Sequence, residues 1–404
     1  MQRFLPALLA CLGMIGAFAI DTYLPSMPAI GIEFGVGPVA VQQTLSVFLF
    51  MFAFMMLFYG TLSDSFGRRP VILGALCLYT LSSVGAALAP SFGWLLLFRA
   101  LQGVAAGAGS VISQAIVQDR FSGAQARKTM SHIMMVFGLA PAIAPVLGGW
   151  LHVTFGWRAN FVFLALFGTA MILTVWRLLP ESLPAEKRQV FHPVTIARNY
   201  LMVLRHPQFL MLSLSLGLAF CGLALYVGSS ANFVIEILGL PETAFAWMFI
   251  PLVGGMVVGS AWGGKRAAKA PPGRLLWVGY GVMAVGSVLN VGYNALFEAS
   301  VPWAVLPLGV FTFGLAVAMP GIQLSAMGLF PHNRGLAASM VGFIQMMCFA
   351  LVSGVIAPLL FGSALKLAGT AAAGCVSSFL LWRLSLRFAK PVALAGIVGK
   401  QNAG

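Results

Sequence analysis

Apolar residues in this chain run in long continuous blocks, and short polar segments separate them. An α-helix needs about 20 apolar residues to cross the hydrocarbon of a bilayer. Twelve such blocks can be read, at about 5–28, 41–63, 71–90, 93–118, 130–152, 158–179, 208–234, 243–263, 274–295, 302–325, 336–360 and 366–388. A β-barrel would alternate apolar and polar positions, and this chain does not. The pattern predicts an all-α polytopic membrane protein of twelve spans. Composition agrees: of 404 residues 60% are hydrophobic and 8% are charged, against roughly a quarter charged in a soluble domain.

Charge sets the orientation. A net charge of +14 in a soluble chain would suggest nucleic acid. Here the basic residues sit in short connections between spans, so the expected partner is the lipid bilayer and no nucleic acid. The even-numbered connections hold Arg68 and Arg69; Arg120, Arg127 and Lys128; Lys187, Arg188, Arg198 and Arg205; Lys265, Arg266 and Lys269; and Arg334. The odd-numbered ones hold only Arg158 and Lys366, with Glu33, Glu236, Glu242 and Glu298. This bias places the even connections and both termini in the cytoplasm. Arg3 and the run to Ala17-Phe18-Ala19 mimic a secretory signal. We read the run as the first span, because its removal would leave an odd number.

The longest connection carries Pro180, Pro184, Pro193 and Pro207. It divides the chain into a six-helix bundle over 1–180, a cytoplasmic linker over 181–207, a second six-helix bundle over 208–390 and a cytoplasmic tail over 391–404. Gly259-Ser260-Ala261-Trp262-Gly263-Gly264-Lys265-Arg266, between spans 8 and 9, faintly repeats Gly60-Thr61-Leu62-Ser63-Asp64-Ser65-Phe66-Gly67-Arg68-Arg69-Pro70, between spans 2 and 3, without its Asp. Two such halves would be related by a pseudo-two-fold axis along the membrane normal.

Two formal charges fall well inside the apolar blocks: Asp21 in span 1 and Arg99 in span 4. A lone charge there costs several kcal/mol, so each must face a partner or a wet cavity. Burial disfavours a charged carboxylate, which makes Asp21 a candidate for taking up and releasing a proton. Arg99 stays charged and can bias Asp21 or draw an anion. Plainer readings stand beside these: Asp21 as a cap on a kink at Pro25 or Pro28, and Arg99 as a pin on backbone carbonyls. In span 5, Pro141 and Pro145 remove two helical hydrogen bonds on one face. Gly138, Gly148 and Gly149 permit close packing on another helix; a packing helix with no moving part is the alternative. In the loop after span 2, Asp64 could accept from free backbone N–H groups at a helix N-terminus, and Arg68 could pair with Asp119. Such bonds can latch one conformation, or the segment can be a turn with a basic anchor.

Tyr23, Gln42, Gln102, Gln114, Asn232, Gln323 and Gln345 are candidates for lining a substrate cavity, as are Gln43 and His132. Each is as well suited to bonding a neighbouring helix. Cys11, Cys77, Cys221, Cys348 and Cys375 lack metal-ligand spacing and read as small apolar residues. There is no Walker-type loop, zinc-spaced set or serine nucleophile motif. No enzyme activity and no cofactor are expected, and energy must come from an ion or substrate gradient.

Three of these segments resemble motifs of the major facilitator superfamily. Gly60 through Pro70 resembles its motif A, with Ser65 where a basic residue is usual. Arg99-Ala100-Leu101-Gln102-Gly103 resembles motif B, whose Arg is linked to proton transfer. Gly138 through Gly149 resembles motif C, the antiporter motif, with Ala140-Pro141 in place of Gly-Pro. A narrower resemblance, to the Bcr/CflA multidrug exporters, rests on Asp21-Thr22-Tyr23-Leu24-Pro25-Ser26-Met27-Pro28, on Phe330-Pro331-His332 with Gly335 and Ala338-Ser339, and on Glu181-Ser182-Leu183-Pro184.

The resemblance implies the major facilitator fold and a drug:proton antiporter of the twelve-span class, monomeric, in a bacterial inner membrane. It would export small amphiphilic drugs or metabolites. Asp21 and Arg99 would couple protons. Gly60, Asp64, Gly67, Arg68, Arg69 and Asp119 would form the conformational latch. A narrow metabolite facilitator or importer on the same fold, and more distantly a receptor or intramembrane enzyme, are the rival expectations.

Overall fold

The computed structural model describes residues 4–121, 123–188, 193–267, 273–330 and 333–388. Among these, twelve helices are long and apolar enough to cross a membrane. We label them α1 Leu5–Phe34, α2 Pro38–Phe66, α3 Arg68–Ala87, α4 Phe92–Arg120, α5 Gly123–Phe155, α6 Arg158–Leu178, α7 Pro207–Gly228, α8 Ala246–Ala267, α9 Arg274–Leu296, α10 Leu306–Gly328, α11 Arg334–Leu359 and α12 Ala364–Ser385. Each matches one apolar block of the sequence. The tail 391–404, Lys269, Pro331 and His332 lie outside the described residues, and so does the side chain of His132.

Local chemistry explains the ends. Pro38, Pro207 and Pro307 occupy first turns, where a missing N–H costs nothing. Only Gly67 separates α2 from α3, with φ at 98°, a backbone state that a side chain would strain. α1 is not one regular helix. It runs regularly to Asp21, passes through a turn and a short 3₁₀ segment at Leu24–Ser26, and resumes as a helix over Met27–Phe34, because Pro25 and Pro28 cannot donate to the preceding turn. α7 continues into a π-helical stretch at Asn232–Ile237, and α11 contains another at Val352–Ile356. The connection between α6 and α7 carries a helix over Pro193–Leu204. Its Tyr200 hydroxyl donates to Leu57 O at 2.6 Å, docking the linker under α2.

The helices form two bundles with matching internal pairings. In the first, α1 packs on α4 and α5, α2 on α4, and α3 on α4 and α6. In the second, α7 packs on α10 and α11, α8 on α10, and α9 on α10 and α12. Small residues allow the same close approach in both halves. A Cβ on Gly103 of α4 would stand 2.3 Å from Phe48 O of α2, and one on Gly255 of α8 would stand 2.0 Å from Gly309 O of α10. Between bundles, α2 meets α11 and α5 meets α8. Shifting each helix by six places exchanges these two pairs, so the interface follows the internal repeat. Among the described residues the sequence echo near α8 forms no ion pair; Arg266 lies over the Trp262 ring, 4.9 Å from its centroid. We call the end that carries the Arg- and Lys-rich connections the basic end, and the opposite end, with Glu33, Glu236, Glu242 and Glu298, the acidic end.

Candidate functional site

Arg99 is fully buried, and three helices give hydrogen-bond acceptors to its guanidinium. It donates to Ala19 O of α1 (3.0 Å), Thr44 O of α2 (3.3 Å) and Gln102 Oε1 of its own helix (2.8 Å). Gln102 passes the chain on to Ser83 Oγ of α3 at 2.8 Å. The guanidinium lies between the rings of Tyr23 and Phe48, 4.2 and 4.4 Å from their centroids. Desolvated cation–π contacts can each contribute about 2 kcal/mol. The backbone carbonyls of the pin reading are thus met through Nε and Nη1, while Nη2 is buried without a hydrogen bond among the described residues. Gln102 and Tyr23, which bonds Thr44 Oγ1 at 3.3 Å, belong to this packed arginine centre.

Asp21 is also buried, at 3% exposure, but it does not pair with Arg99. The ion pairs among the described residues are Arg68–Asp64, Arg68–Asp119 and Arg158–Glu33. Arg99 grips α1 through Ala19 and Tyr23, four residues apart. The Asp21 carboxylate makes neither of these contacts. It makes no hydrogen bond among the described residues either, so it caps nothing at the break; Thr22 does that, donating from Oγ1 to Phe18 O at 2.6 Å. Beside this break runs α5, which stays helical through Pro141 and Pro145. Ala140, Ala144 and Gly148, four residues apart, are buried on one stripe, while Leu139, Ile143, Val146 and Trp150 are exposed. A Cβ on Gly148 would stand 1.7 Å from Thr22 O, and one on Gly149 would stand 2.2 Å from Glu242 O of the second bundle. Gly138 has open space and needs no glycine for packing.

At the basic end Arg68 is buried and holds three helices together. It pairs with Asp64 (2.6 Å) and Asp119 (3.1 Å) and donates to Ser63 Oγ (2.6 Å). The carboxylate at the N-terminus of α3 is not Asp64, as the sequence suggested, but Glu181. It accepts from the backbone N–H of Arg68 (3.0 Å), Arg69 (3.1 Å), Ser182 (2.9 Å) and Leu183 (3.0 Å). Asp64 ends α2 one turn short of Gly67 and is spent on Arg68, so the residue just beyond α6 fills the site. Partial burial raises the affinity of Glu181 for a proton, yet the four N–H donors outweigh it and hold its carboxyl below the usual range. Ser182 Oγ donates to Asp119 (3.0 Å), Arg120 to Glu181 O (2.7 Å) and Arg69 to Trp176 O (2.6 Å). Gly60 has no neighbour a Cβ would meet. All these bonds lie within the first bundle and the start of the linker.

Bonds across the bundles occur at the acidic end. Gln42, 2% exposed, donates to Gly228 O of α7 (3.0 Å) and Ser353 Oγ of α11 (2.6 Å). Gln43 donates to Gly354 O at 3.0 Å, and Gly354 packs on Ser46. Gln42, Gln43 and Ser46, within little more than one turn of α2, thus clasp it to the π-helical stretch of α11. Beyond the clasp opens a cavity of about 300 Å³ between the bundles, lined among others by Gln42, Asn232 and Glu236. Of the remaining candidates, Gln114 and Gln323 are exposed, and Gln345 is half-buried on α11 beside α7. Glu181, Ser353 and Gly228 were missed by sequence reasoning. An acid directly after a span, opposite a glycine turn, was the available signal for the first; nothing local marks the others.

Comparison with known proteins bears on this architecture. Residues 9–358 match the model of the family described as Major Facilitator Superfamily. The chain is 29% identical over 379 residues to a bicyclomycin resistance protein homolog of Haemophilus influenzae, covering 93% of this chain and 94% of that one. It is 27% identical over 335 residues to the multidrug transporter MdfA of Yersinia pestis, covering 82% and 81%. The human organic anion transporter MFSD10 has the same fold, with a TM-score of 0.71 at 20% identity, covering 95% of this chain and 99% of that one.

Proposed function

The chain belongs to the Major Facilitator Superfamily, and from that premise we propose that it is a proton-coupled exporter of small amphiphilic drugs or metabolites. It is a multi-pass membrane transporter rather than an enzyme. We place it in a bacterial inner membrane with its basic end in the cytoplasm, following the Lys and Arg bias. The names of the relatives, which refer to bicyclomycin resistance and multidrug transport, favour drug-type cargo.

The observation that carries the proposal is Asp21: a buried carboxylate with no hydrogen-bond or ion-pair partner among the described residues, at a break in α1, beside the small-residue stripe of α5. A charged carboxylate left unpaired in an apolar interior is costly. It takes a proton when water from one side reaches it and gives the proton up when water from the other side does. Cargo in the interbundle space favours one protonation state. Rocking of the bundles exposes the site to each side in turn, and the proton drives export only through its different affinity in the two states. Arg99 fixes α1 to α2 and α4, so that Asp21 is carried by a rigid bundle. The Arg68 cluster keeps α2, α3, α4 and the linker as one body, and the Gln42–Gln43 clasp shuts the acidic end.

Expression in a strain lacking its own efflux pumps, screened against antibiotics, supplies a cargo. Asp21→Asn is then compared with wild type in everted vesicles. Uptake driven by an acidic interior should be lost, while the variant elutes as a folded monodisperse species and still performs counterflow. Uptake of wild-type size, with the same dependence on the pH gradient, would overturn the assignment.

A further inference from the structure

The cavity at the acidic end plays no part in that scheme, and its chemistry is specific. Its walls come from both bundles, with Met27, Ile32 and Gln42 on one side and Asn232, Glu236 and Phe361 on the other. At about 300 Å³ it reaches the size at which small-molecule sites begin. Such sites are mostly apolar with a few placed polar groups, and this one follows that rule. No Lys or Arg lines it.

Glu236 is held in place. Asn232 Nδ2 donates to its carboxylate, and Asn232 Oδ1 accepts from Gly362 N at 3.1 Å. The Asn is therefore tied to the connection after α11 and cannot swing away with the Glu. Both residues sit in the π-helical stretch Asn232–Ile237, a geometry frequent at functional sites. Among the described residues no cation pairs with Glu236. Glu33, at the same end, is by contrast taken up by Arg158 and the Trp157 indole N–H, both at 2.5 Å. The cavity thus offers an apolar wall and one uncompensated carboxylate.

We propose that this vestibule is a binding site for a small amphiphilic organic cation, with its ammonium on Glu236 and its hydrocarbon body against Met27, Ile32 and Phe361. A neutral ligand gains only the apolar contact, and an anion meets the carboxylate. The site stands independently of proton coupling at Asp21.

The test uses the purified full-length protein in detergent and two probes with one hydrocarbon body, adamantan-1-amine and adamantan-1-ol. Binding is measured by calorimetry and by shifts in thermal unfolding. The amine should bind about fivefold more tightly than the alcohol at low salt, the upper range for an exposed ion pair, and high salt should remove that preference. In Glu236→Gln the two probes should bind alike. In Ile32→Trp, where an 84% exposed side chain is enlarged into the cavity without touching the core, both should bind weakly. An amine preference that survives in Glu236→Gln, binding of both probes unchanged in Ile32→Trp, or no binding by wild type would each overturn the proposal. Should Glu236→Gln fail to fold, the salt dependence on wild type together with Ile32→Trp decides.

Discussion

Gln42→Leu tests the clasp most directly. The side chain is 2% exposed and its amide makes two bonds to the other bundle, at 3.0 and 2.6 Å. Each is worth about 0.5–1.5 kcal/mol net, so their loss removes about 1–3 kcal/mol from the closed acidic end. Leu keeps most of the volume, and Gln43 still reaches Gly354 O, so the end should remain closed in most molecules. The open population, being the minor one, should rise about 5- to 150-fold. The probe is Ser46→Cys, a position that Gly354 covers when the end is shut. Labelling by a membrane-impermeant maleimide reports the open fraction, once the background from the native cysteines is subtracted. Ser46→Cys alone should label slowly, and the added Gln42→Leu should raise the rate by at least fivefold. A rate within a factor of two of the parent, in a variant with an unchanged unfolding midpoint, would show that these bonds do not hold the end closed.

Other predictions follow from the packing and the basic-end cluster. Gly148→Ala should destabilise the protein by about 3 kcal/mol or more, since its Cβ would stand 1.7 Å from Thr22 O, whereas Gly138→Ala, with open space around it, should be neutral or slightly stabilising; thermal unfolding in detergent compares the two. Glu181 has its carboxyl held below the ordinary value of 4.5, so its contribution is complete above that pH and is lost as the pH falls below it. The unfolding midpoint of Glu181→Gln should therefore lie below wild type at pH 7, and the gap should narrow on acidification through the carboxylate range. An equal gap at both ends of a pH series would remove Glu181 from the role of helix-terminus acceptor.

How much was legible beforehand differs between the fold and the site. Twelve apolar blocks announced twelve helices, and the turn at Gly67 with its charges announced a surface cluster. The reading of Arg99 as a pin on backbone carbonyls followed from the cost of a lone charge in hydrocarbon. The roles of the glutamines were not legible. Gln42 binds partners 186 and 311 residues away, and no local pattern tells a glutamine that bridges two bundles from one that lines a cavity or, like Gln114, is left exposed. Asp64 was the acid expected at the start of α3, and Glu181 stands there instead. Which of them arrives there depends on where α6 ends relative to α3.

What the sequence by itself determined was the number of spans, about where each lies and the end at which its charges lie, because lipid requires every backbone N–H and C=O to be satisfied within its own segment. That requirement is local, so it can be read one block at a time. What only the tertiary structure decided was which side chains meet. Asp21 and Arg99 looked like natural partners, yet Arg99 is taken up by Ala19 O, Thr44 O and Gln102, and no ion pair joins the two. Glu236 looked like a loop residue, yet the π-helical stretch and Asn232 turn it into the wall of a cavity. Pairings of that kind depend on the rotation of each helix about its axis and on the register of one bundle against the other. Those are set by the packing of small residues such as Gly103, Gly148 and Gly255 against distant backbone, which no stretch of the chain contains on its own.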